Sequence, residues 1–439
     1  MESQKDRVKL NVGGRIFETT ATTLGSAGKN SFFGAMFDEN WNLHSDAATN
    51  EHFIDRNPDY FAVLLDLLRT GELYIPPKIN ERLLYREALY YGILDHVKSA
   101  KWDLFDGNKL RVARSIKGWS IGKYGAIRAS PSSGCCVVLP LEFGSMVKVY
   151  DWMLDEQPTI NLDYHRVNDV CWVDSENIVA SSDRKLANGA IELFNAYTGE
   201  LRCKFQVSDE NRLNDYSATE LSFNSDYKLF SSCKRNSIER GIVVWDQVTG
   251  KHINFFSLEY AKQPYFSSEY TGRLQWLYGT NCLMVVASSF PRIDIRLLDF
   301  RENAVVWSWS NAKEMNQKSI TDAIVIEENN SICVVDAKKC LGFIDLRDTT
   351  KSVGWRERCT SSRTGGCFPK LAFHEGQLLS SMNDTISVYC GSNWIETSQL
   401  QRSPGGPICD FSIGGDRLFV LHREEDVFDV WETPRMSII

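Results

Sequence analysis

Val244-Trp245-Asp246-Gln247-Val248-Thr249-Gly250-Lys251 reads as the end of one β-strand and the turn after it. β-Branched valines and a large aromatic favour a strand, and Asp, Thr and Gly then favour a tight turn. Weaker copies recur along the chain as Val149-Tyr150-Asp151, Leu193-Phe194-Asn195, Leu297-Leu298-Asp299, Phe343-Ile344-Asp345, Val388-Tyr389-Cys390 and Val430-Trp431-Glu432. Between the middle residues of successive endings the steps are 44, 51, 53, 46, 45 and 42 residues. A period of this length marks a solenoid or a propeller. No unit carries a helical i, i+3, i+4, i+7 stripe, so the units read as β-blades. Residues 106–439 number 334, or about 48 per unit if there are seven. An open stack would leave a bare sheet edge. Residues 110–116, or failing them 436–439, are therefore expected to supply the outer strand of the last sheet. The sequence predicts an all-β propeller over 124–439 with seven blades, six or eight being the alternatives, and a linker with a closing strand over 101–123.

The first hundred residues have a different texture. Val8, Leu10 and Val12 alternate with polar residues, Gly13-Gly14 supplies a tight turn, and residues 16–20 return as a second strand. A helix is expected over 31–37, and Phe53-Ile54 reads as a short strand. Asn57-Pro58 has the chemistry of a helix start, with Phe61, Leu64, Leu65 and Leu68 forming one stripe and Gly71 ending it. Asn80 caps a further helix in which Leu84, Ala88 and Tyr91 share a face, Gly92 stops it, and a last short helix runs to about residue 100.

These residues carry a resemblance. Val-Lys-Leu-Asn-Val-Gly-Gly-Arg-Ile-Phe (8–17), Phe-Ile-Asp-Arg-Asn-Pro-Asp-Tyr-Phe (53–61), Leu-Arg-Thr-Gly-Glu-Leu (68–73) and Arg-Glu-Ala-Leu-Tyr-Tyr-Gly-Ile (86–93) come in the order of a BTB/POZ domain of the channel-tetramerisation type. The repeats resemble divergent WD40 units, since only the ending at Trp245-Asp246 is complete and the Gly-His pair of such units is missing. Together the chain resembles plant BTB/POZ proteins with a WD40-like second half. The implied fold class is an α+β BTB/POZ domain over 6–100 followed by an all-β propeller. Some channel domains of this type clamp zinc between subunits with His and Cys; residues 1–134 hold no cysteine, so that clamp is absent.

Composition narrows the function. The formal charge is −8 on 439 residues, which disfavours broad attraction to nucleic acid or anionic membrane. No stretch is apolar enough for a signal peptide or a membrane span. The twelve cysteines are all at or beyond Cys135 and are expected to be small buried thiols in a reducing compartment. No Gly-x-Ser-x-Gly elbow, His-Glu-x-x-His pair or phosphate loop occurs, the histidines His52, His96, His165 and His374 are isolated, and aspartates at the repeat endings are expected to bind turns. No catalytic residue, cofactor or metal site is expected. Lys109, Arg111, Arg114, Lys117, Lys123 and Arg128 form a basic cluster that reads as an exposed linker and strand face, since aromatic neighbours are few beyond Trp119 and Tyr124.

The resemblance implies an adaptor. BTB domains like this one assemble with themselves, and many bind cullin-3; a propeller presents a rigid face of loops to a substrate protein. The expectation is a substrate adaptor of a cullin-3-type ubiquitin ligase in the cytoplasm, the nucleus being a second compartment. Its cullin contacts would be Phe37, Asp38 and Glu39, with Tyr90 and Asp95 towards the end of the domain. Two rivals stand beside it. One is an oligomeric scaffold that regulates a channel, receptor or cytoskeletal partner. The other is a cullin-4-type receptor using the D-x-R endings Asp299/Arg301 and Asp345/Arg347, which can equally be local ion pairs.

Overall fold

The computed structural model describes residues 7–36, 51–117, 125–141, 144–163, 166–207, 212–235, 239–258, 269–289, 292–311, 320–348, 350, 352–356, 367–402, 405–423 and 427–435. The chain forms two compact units, Met1–Leu104 with Thr433–Ile439, and Phe105–Glu432.

In the first unit, β1 (Arg7–Val12) and β2 (Arg15–Thr20) form an antiparallel hairpin, and β3 (Glu51–Ile54) adds in parallel to β1, giving the order β2-β1-β3. Gly13 and Gly14 both have positive φ, at 50° and 89°. Gly13 is further constrained because its N–H donates to Ile54 O at 2.9 Å and a Cβ there would lie 2.5 Å from Arg56 O. The helices among the described residues of this unit are α1 (Ala21–Gly25) and α2 (Phe32–Met36), before β3, and α3 (Pro58–Thr70), α4 (Glu81–Tyr90) and α5 (Leu94–Lys101), after it. The short α1, capped by the Thr20 side chain, has no hydrophobic period and was not anticipated. Asn57 and Asn80 cap α3 and α4 through Asp59 N and Leu83 N, and Gly71 takes the left-handed conformation that stops α3. The buried face of α3 is wider than the anticipated stripe: Val63 and Leu67 join Phe61, Leu64 and Leu65, while Leu68 is half-buried. Leu84, Ala88 and Tyr91 are all buried, with the Tyr91 ring stacked on Phe33 at 5.3 Å. The chain end returns to this unit, where Thr433 O accepts from Asp103 N at 3.1 Å.

The second unit holds four-stranded antiparallel sheets, paired in chain order except for the last, whose outer strand comes from the start of the unit. One holds Ser217–Phe223, Lys228–Arg235, Glu239–Asp246 and His252–Ser257. The first strands of the sheets are Ala126–Ala129, Val167–Trp172, Ser217–Phe223, Glu269–Leu277, Ile320–Ile326, Leu371–His374 and Ile408–Gly414. Each packs against the next, and the last packs against the first, so they surround an axis as in a β-propeller. The repeat endings lie on the third strands. Their middle residues Tyr150, Phe194, Trp245, Leu298, Ile344, Tyr389 and Trp431 are all buried, which is why the period was legible. Cysteine fills small positions in these strands: Cys135, Cys136, Cys233, Cys282 and Cys333 are buried free thiols. Cys359 lies outside the described residues.

Closure uses both ends of the unit. Arg111–Lys117 pairs with the third strand Val427–Glu432 as the outer strand of the last sheet, matching the segment anticipated for this role. The alternative segment 436–439 lies outside the described residues. Ser115 on this strand donates to Asp429 Oδ1 at 2.6 Å. Asp429, fully buried, also accepts from His422 Nε2 at 2.9 Å and faces the Arg402 guanidinium at 2.6 Å. Ser115 thus bonds the carboxylate rather than the imidazole, the reverse of the order a Ser-His-Asp relay needs.

A second set of contacts ties the first strands together around the axis. Asp410 accepts from Ile127 N at 3.1 Å, Asp169 from Leu221 N at 3.0 Å and Asp322 from Leu371 N at 2.8 Å, so three buried aspartates each hold the backbone of the next sheet. Cations tie the same aspartates to the sheet on their other side, and Arg128 also doubles the Asp410 junction. Arg128 reaches Asp410 at 2.7 Å and Asp169 at 2.9 Å, Lys370 reaches Asp410 at 2.6 Å, and Arg273 reaches Asp322 at 2.8 Å. This corrects the reading of Arg128 as part of an exposed basic face. It sits on the innermost strand, where its fork bridges the first sheet to both neighbours. Of the other members, Arg111, Arg114 and Lys117 are exposed on the outer strand, Lys109 pairs with Asp106 at 3.1 Å, and Lys123, Trp119 and Tyr124 lie outside the described residues.

Glu220 also sits among these charges, and burial together with the nearby Asp169 pushes its carboxyl well above the usual range. Burial pushes the Asp410 carboxyl up as well, but Lys370 and Arg128 outweigh it and hold the group below its ordinary 3.8. For Asp429 the bonds from His422 and Ser115 have the same net effect against burial. A carboxyl whose pKa is depressed on folding stabilises the fold fully above its unfolded pKa, and that stability disappears as pH falls through the folded value. Acid unfolding is therefore expected to set in below about pH 4. Asp410→Ala is expected to cost about 3 kcal/mol, because it strands a buried N–H and removes the partner of two cations. Glu220→Gln, which mimics the protonated acid, is expected to leave stability unchanged or raise it at neutral pH. Denaturant unfolding of the two variants side by side checks both signs.

Candidate interaction surfaces

Of the residues singled out for a cullin contact, Phe37, Asp38 and Glu39 lie outside the described residues. Tyr90 and Asp95 are both exposed on the first unit. The adjacent tyrosines divide the work of this corner. Tyr91 is core, and burial followed by the Glu87 charge pushes its phenol up. Tyr90 is 45 % exposed at the end of α4. The Tyr90 ring is held rather than free. The Arg56 guanidinium lies 4.2 Å from its centroid, and Arg56 is itself fixed by two bonds to Glu87, Nε at 3.0 Å and a terminal nitrogen at 2.8 Å. Phe32 backs the same ring at 5.7 Å. Asp95 lies in the first turn of α5, where a carboxylate is favoured by the helix dipole.

The exposed apolar side chains of this unit include Phe53 (63 %), Tyr74 (76 %) and Leu89 (60 %), none of them singled out for exposure from the sequence. A signal for one was present. Ile54 is buried, and neighbouring residues on a strand point to opposite faces, so Phe53 must face away from the core.

The D-x-R endings close on themselves. Arg301 N donates to Asp299 Oδ1 at 2.9 Å, and its side chain adds bonds of 3.1 and 2.8 Å to the two carboxylate oxygens. Arg347 repeats the arrangement on Asp345 at 2.9, 3.0 and 2.9 Å. The arginine bonds hold both carboxyls down at about 2. The same use of an ending residue recurs at Asp246, which accepts from Thr249 N and Oγ1 at 2.7 and 2.8 Å, and at Asn195, which accepts from Tyr197 N and Thr198 N. These side chains organise turns, as read from the sequence.

The thiols of Cys136 and Cys409 are poor nucleophiles, since burial pushes both up to about 12. His374 packs edge-on against Phe105 at 4.8 Å, His96 donates to Ser26 O at 3.1 Å, and His165 lies outside the described residues. No helix among the described residues is long and apolar enough to cross a membrane.

An α+β domain and a β-propeller in one chain, with surfaces built of held aromatics and closed turns, form an architecture consistent with a protein-interaction adaptor. Comparison with known proteins sharpens this. Residues 8–100 match the family model of the BTB/POZ domain, and residues 118–433 match that of the At2g24240-like C-terminal β-propeller. The chain is 58 % identical to BTB/POZ domain-containing protein At4g30940 of Arabidopsis thaliana and 56 % identical to At2g24240 of the same plant, in each case over the whole of both chains. It is also 39 % identical to human BTB/POZ domain-containing protein KCTD5 over 95 residues, 21 % of this chain and 40 % of that protein. The chain belongs to the family of BTB/POZ proteins with an At2g24240-like propeller.

Because both D-x-R pairs are local and both arginines are solvent-facing, with Asp299 still held by the Arg301 N–H, Arg301→Ala with Arg347→Ala is expected to leave the thermal midpoint nearly unchanged. Arg56→Ala is expected to free the Tyr90 ring, seen as increased quenching of the emission of a Tyr90→Trp reporter by a small solute.

Proposed function

We infer that this chain is a substrate-recognition adaptor of a cullin-3-type ubiquitin ligase, with the first unit self-associating and holding the cullin and the second capturing a substrate protein. The observation that carries this reading is the joining of a tetramerisation-type BTB/POZ domain to a propeller in one chain. The seven four-stranded sheets found among the described residues, with their closed cycle of first strands, support a propeller of seven blades. The chain would perform no bond chemistry itself. It would raise the effective concentration of a substrate lysine beside the charged ubiquitin carrier, and self-association would add avidity for a multivalent target. A cytoplasmic location, with the nucleus as a second compartment, fits this role.

Within the first unit, exposed Tyr90, Leu89 and Asp95 are the described residues offered to the cullin, and exposed Phe53 and Tyr74 are offered to a second copy. Two measurements test this. Purified full-length protein should retain cullin-3 in a pull-down, and Tyr90→Ala with Asp95→Arg should weaken retention at least fivefold; no retention by the parent protein would remove the ligase reading and favour the scaffold. By light scattering the parent should be an oligomer, and Phe53→Asp should shift it towards the monomer without loss of folded signal.

A further inference from the structure

The second unit has an uncovered aromatic patch on one of its faces. Antiparallel strands alternate in direction, so the turns from first to second strand and from third to fourth strand emerge on the same face of a propeller. Tyr227 and Tyr278 stand in first-to-second turns of adjacent sheets and are 61 % and 59 % exposed, and Val248 in a third-to-fourth turn is 74 % exposed. The backbone fixes these turns to one another. Gln247 N donates to Tyr227 O at 2.8 Å, which sets Val248 beside Tyr227. Glu327, from the next sheet, accepts from Tyr278 N at 2.9 Å and from Gly279 N at 2.5 Å, which joins the second tyrosine to its neighbour's turn. Exposed aromatics on tied turns are what a recognition surface uses.

Charge decides the occupant. The first-to-second turns are 130–134, 173–176, 224–227, 278–281, 327–330, 375–376 and 415–416; they contain seven carboxylates and no Lys or Arg. The third-to-fourth turns of the same face add Lys251, Arg301 and Arg347 beside six carboxylates, so among the described turn residues of this face acids outnumber cations. Asp226 and Glu328 are exposed members on either side of the tyrosine turns. The second-to-third turn 337–340, which emerges on the opposite face, carries Lys338 and Lys339 instead. An acidic rim around tyrosine faces repels acidic chains and complements a cation, which carboxylates attract at a distance and an aromatic face attracts on contact.

We propose that the face carrying Tyr227, Val248 and Tyr278 docks a Lys/Arg-rich segment of a partner protein. The inference rests on the reading of the second unit as the partner-capturing half and names the chemistry it captures. Fluorescence anisotropy of the full-length protein with a fluorescein-labelled peptide of alternating Arg-Lys and Gly-Ser, beside a matched Asp-Glu peptide, provides the test. The basic peptide should bind, the acidic one should not, and affinity should fall with added salt. Asp226→Lys with Glu328→Lys, and separately Tyr278→Ala, should each weaken binding about tenfold, while Lys338→Glu on the opposite face should not weaken it. Equal binding of the two peptides, no binding of the basic one, or indifference to the turn substitutions would overturn the proposal. A chain that binds the peptide but not cullin-3 keeps this inference and loses the ligase role, and the converse result does the opposite.

Discussion

Everything in the second unit depends on holding a cycle of separate sheets to a common axis. Within a sheet the backbone ladder does this, but neighbouring sheets share no ladder. The junctions are instead made by side chains, and the most exacting are those of Asp410, Asp169 and Asp322, each of which holds an N–H of the following sheet. Asp410 is the critical one because its partner, Ile127, belongs to the first sheet, so this bond joins the end of the cycle to its start. Arg128 reinforces the join with one side chain that touches the sheets on both sides of its own. Burying such carboxylates is costly unless every lone pair is used, which explains why each also accepts from a cation. Glu220 is the excess acid of this set, and a raised pKa is the physical consequence.

The outer edge of the ring is joined differently. There the strand Arg111–Lys117 completes a ladder begun by the last residues of the unit, and Ser115, His422 and Arg402 converge on Asp429. Axis and rim are thus both secured by a buried aspartate, one bonding backbone and the other bonding side chains. Ring closure of this kind leaves only the short outer strand of each sheet as an edge, and the turns are the other accessible features. The turns are in turn stiffened by their own ending residues, whether as Asp299–Arg301 forks or Asp246–Thr249 bonds. A surface built from such turns can hold Tyr227 and Tyr278 in place without ordering them on binding, which favours affinity.

The first unit solves a different problem, presenting some aromatics while burying others of the same type. Tyr90 and Tyr91 are neighbours, yet one is held on the surface by Arg56 and Glu87 and the other is packed among Phe33 and Phe61. Helical geometry explains the split: Leu84, Ala88 and Tyr91 recur on one stripe, and Tyr90 is rotated about 100° from it.

The sequence by itself determined the local elements and their repetition. Glycine conformational freedom set the hairpin at Gly13-Gly14, asparagine caps set the starts of α3 and α4, and the buried middle residues of the repeat endings set the period of the sheets. These are properties of a residue and its near neighbours, so they survive without a partner in space. Only the tertiary structure decided what depends on residues far apart in the chain. Arg128 looked like one of a basic run and became a bridge because Asp169 and Asp410, 41 and 282 residues away, converge on it. That the D-x-R arginines fork onto their own aspartates is likewise a fact of side-chain geometry rather than of spacing. The paired tyrosine turns were invisible for the same reason: Tyr227 and Tyr278 lie in different repeats, and it is the folding of the sheets around one axis that sets their turns on a common face.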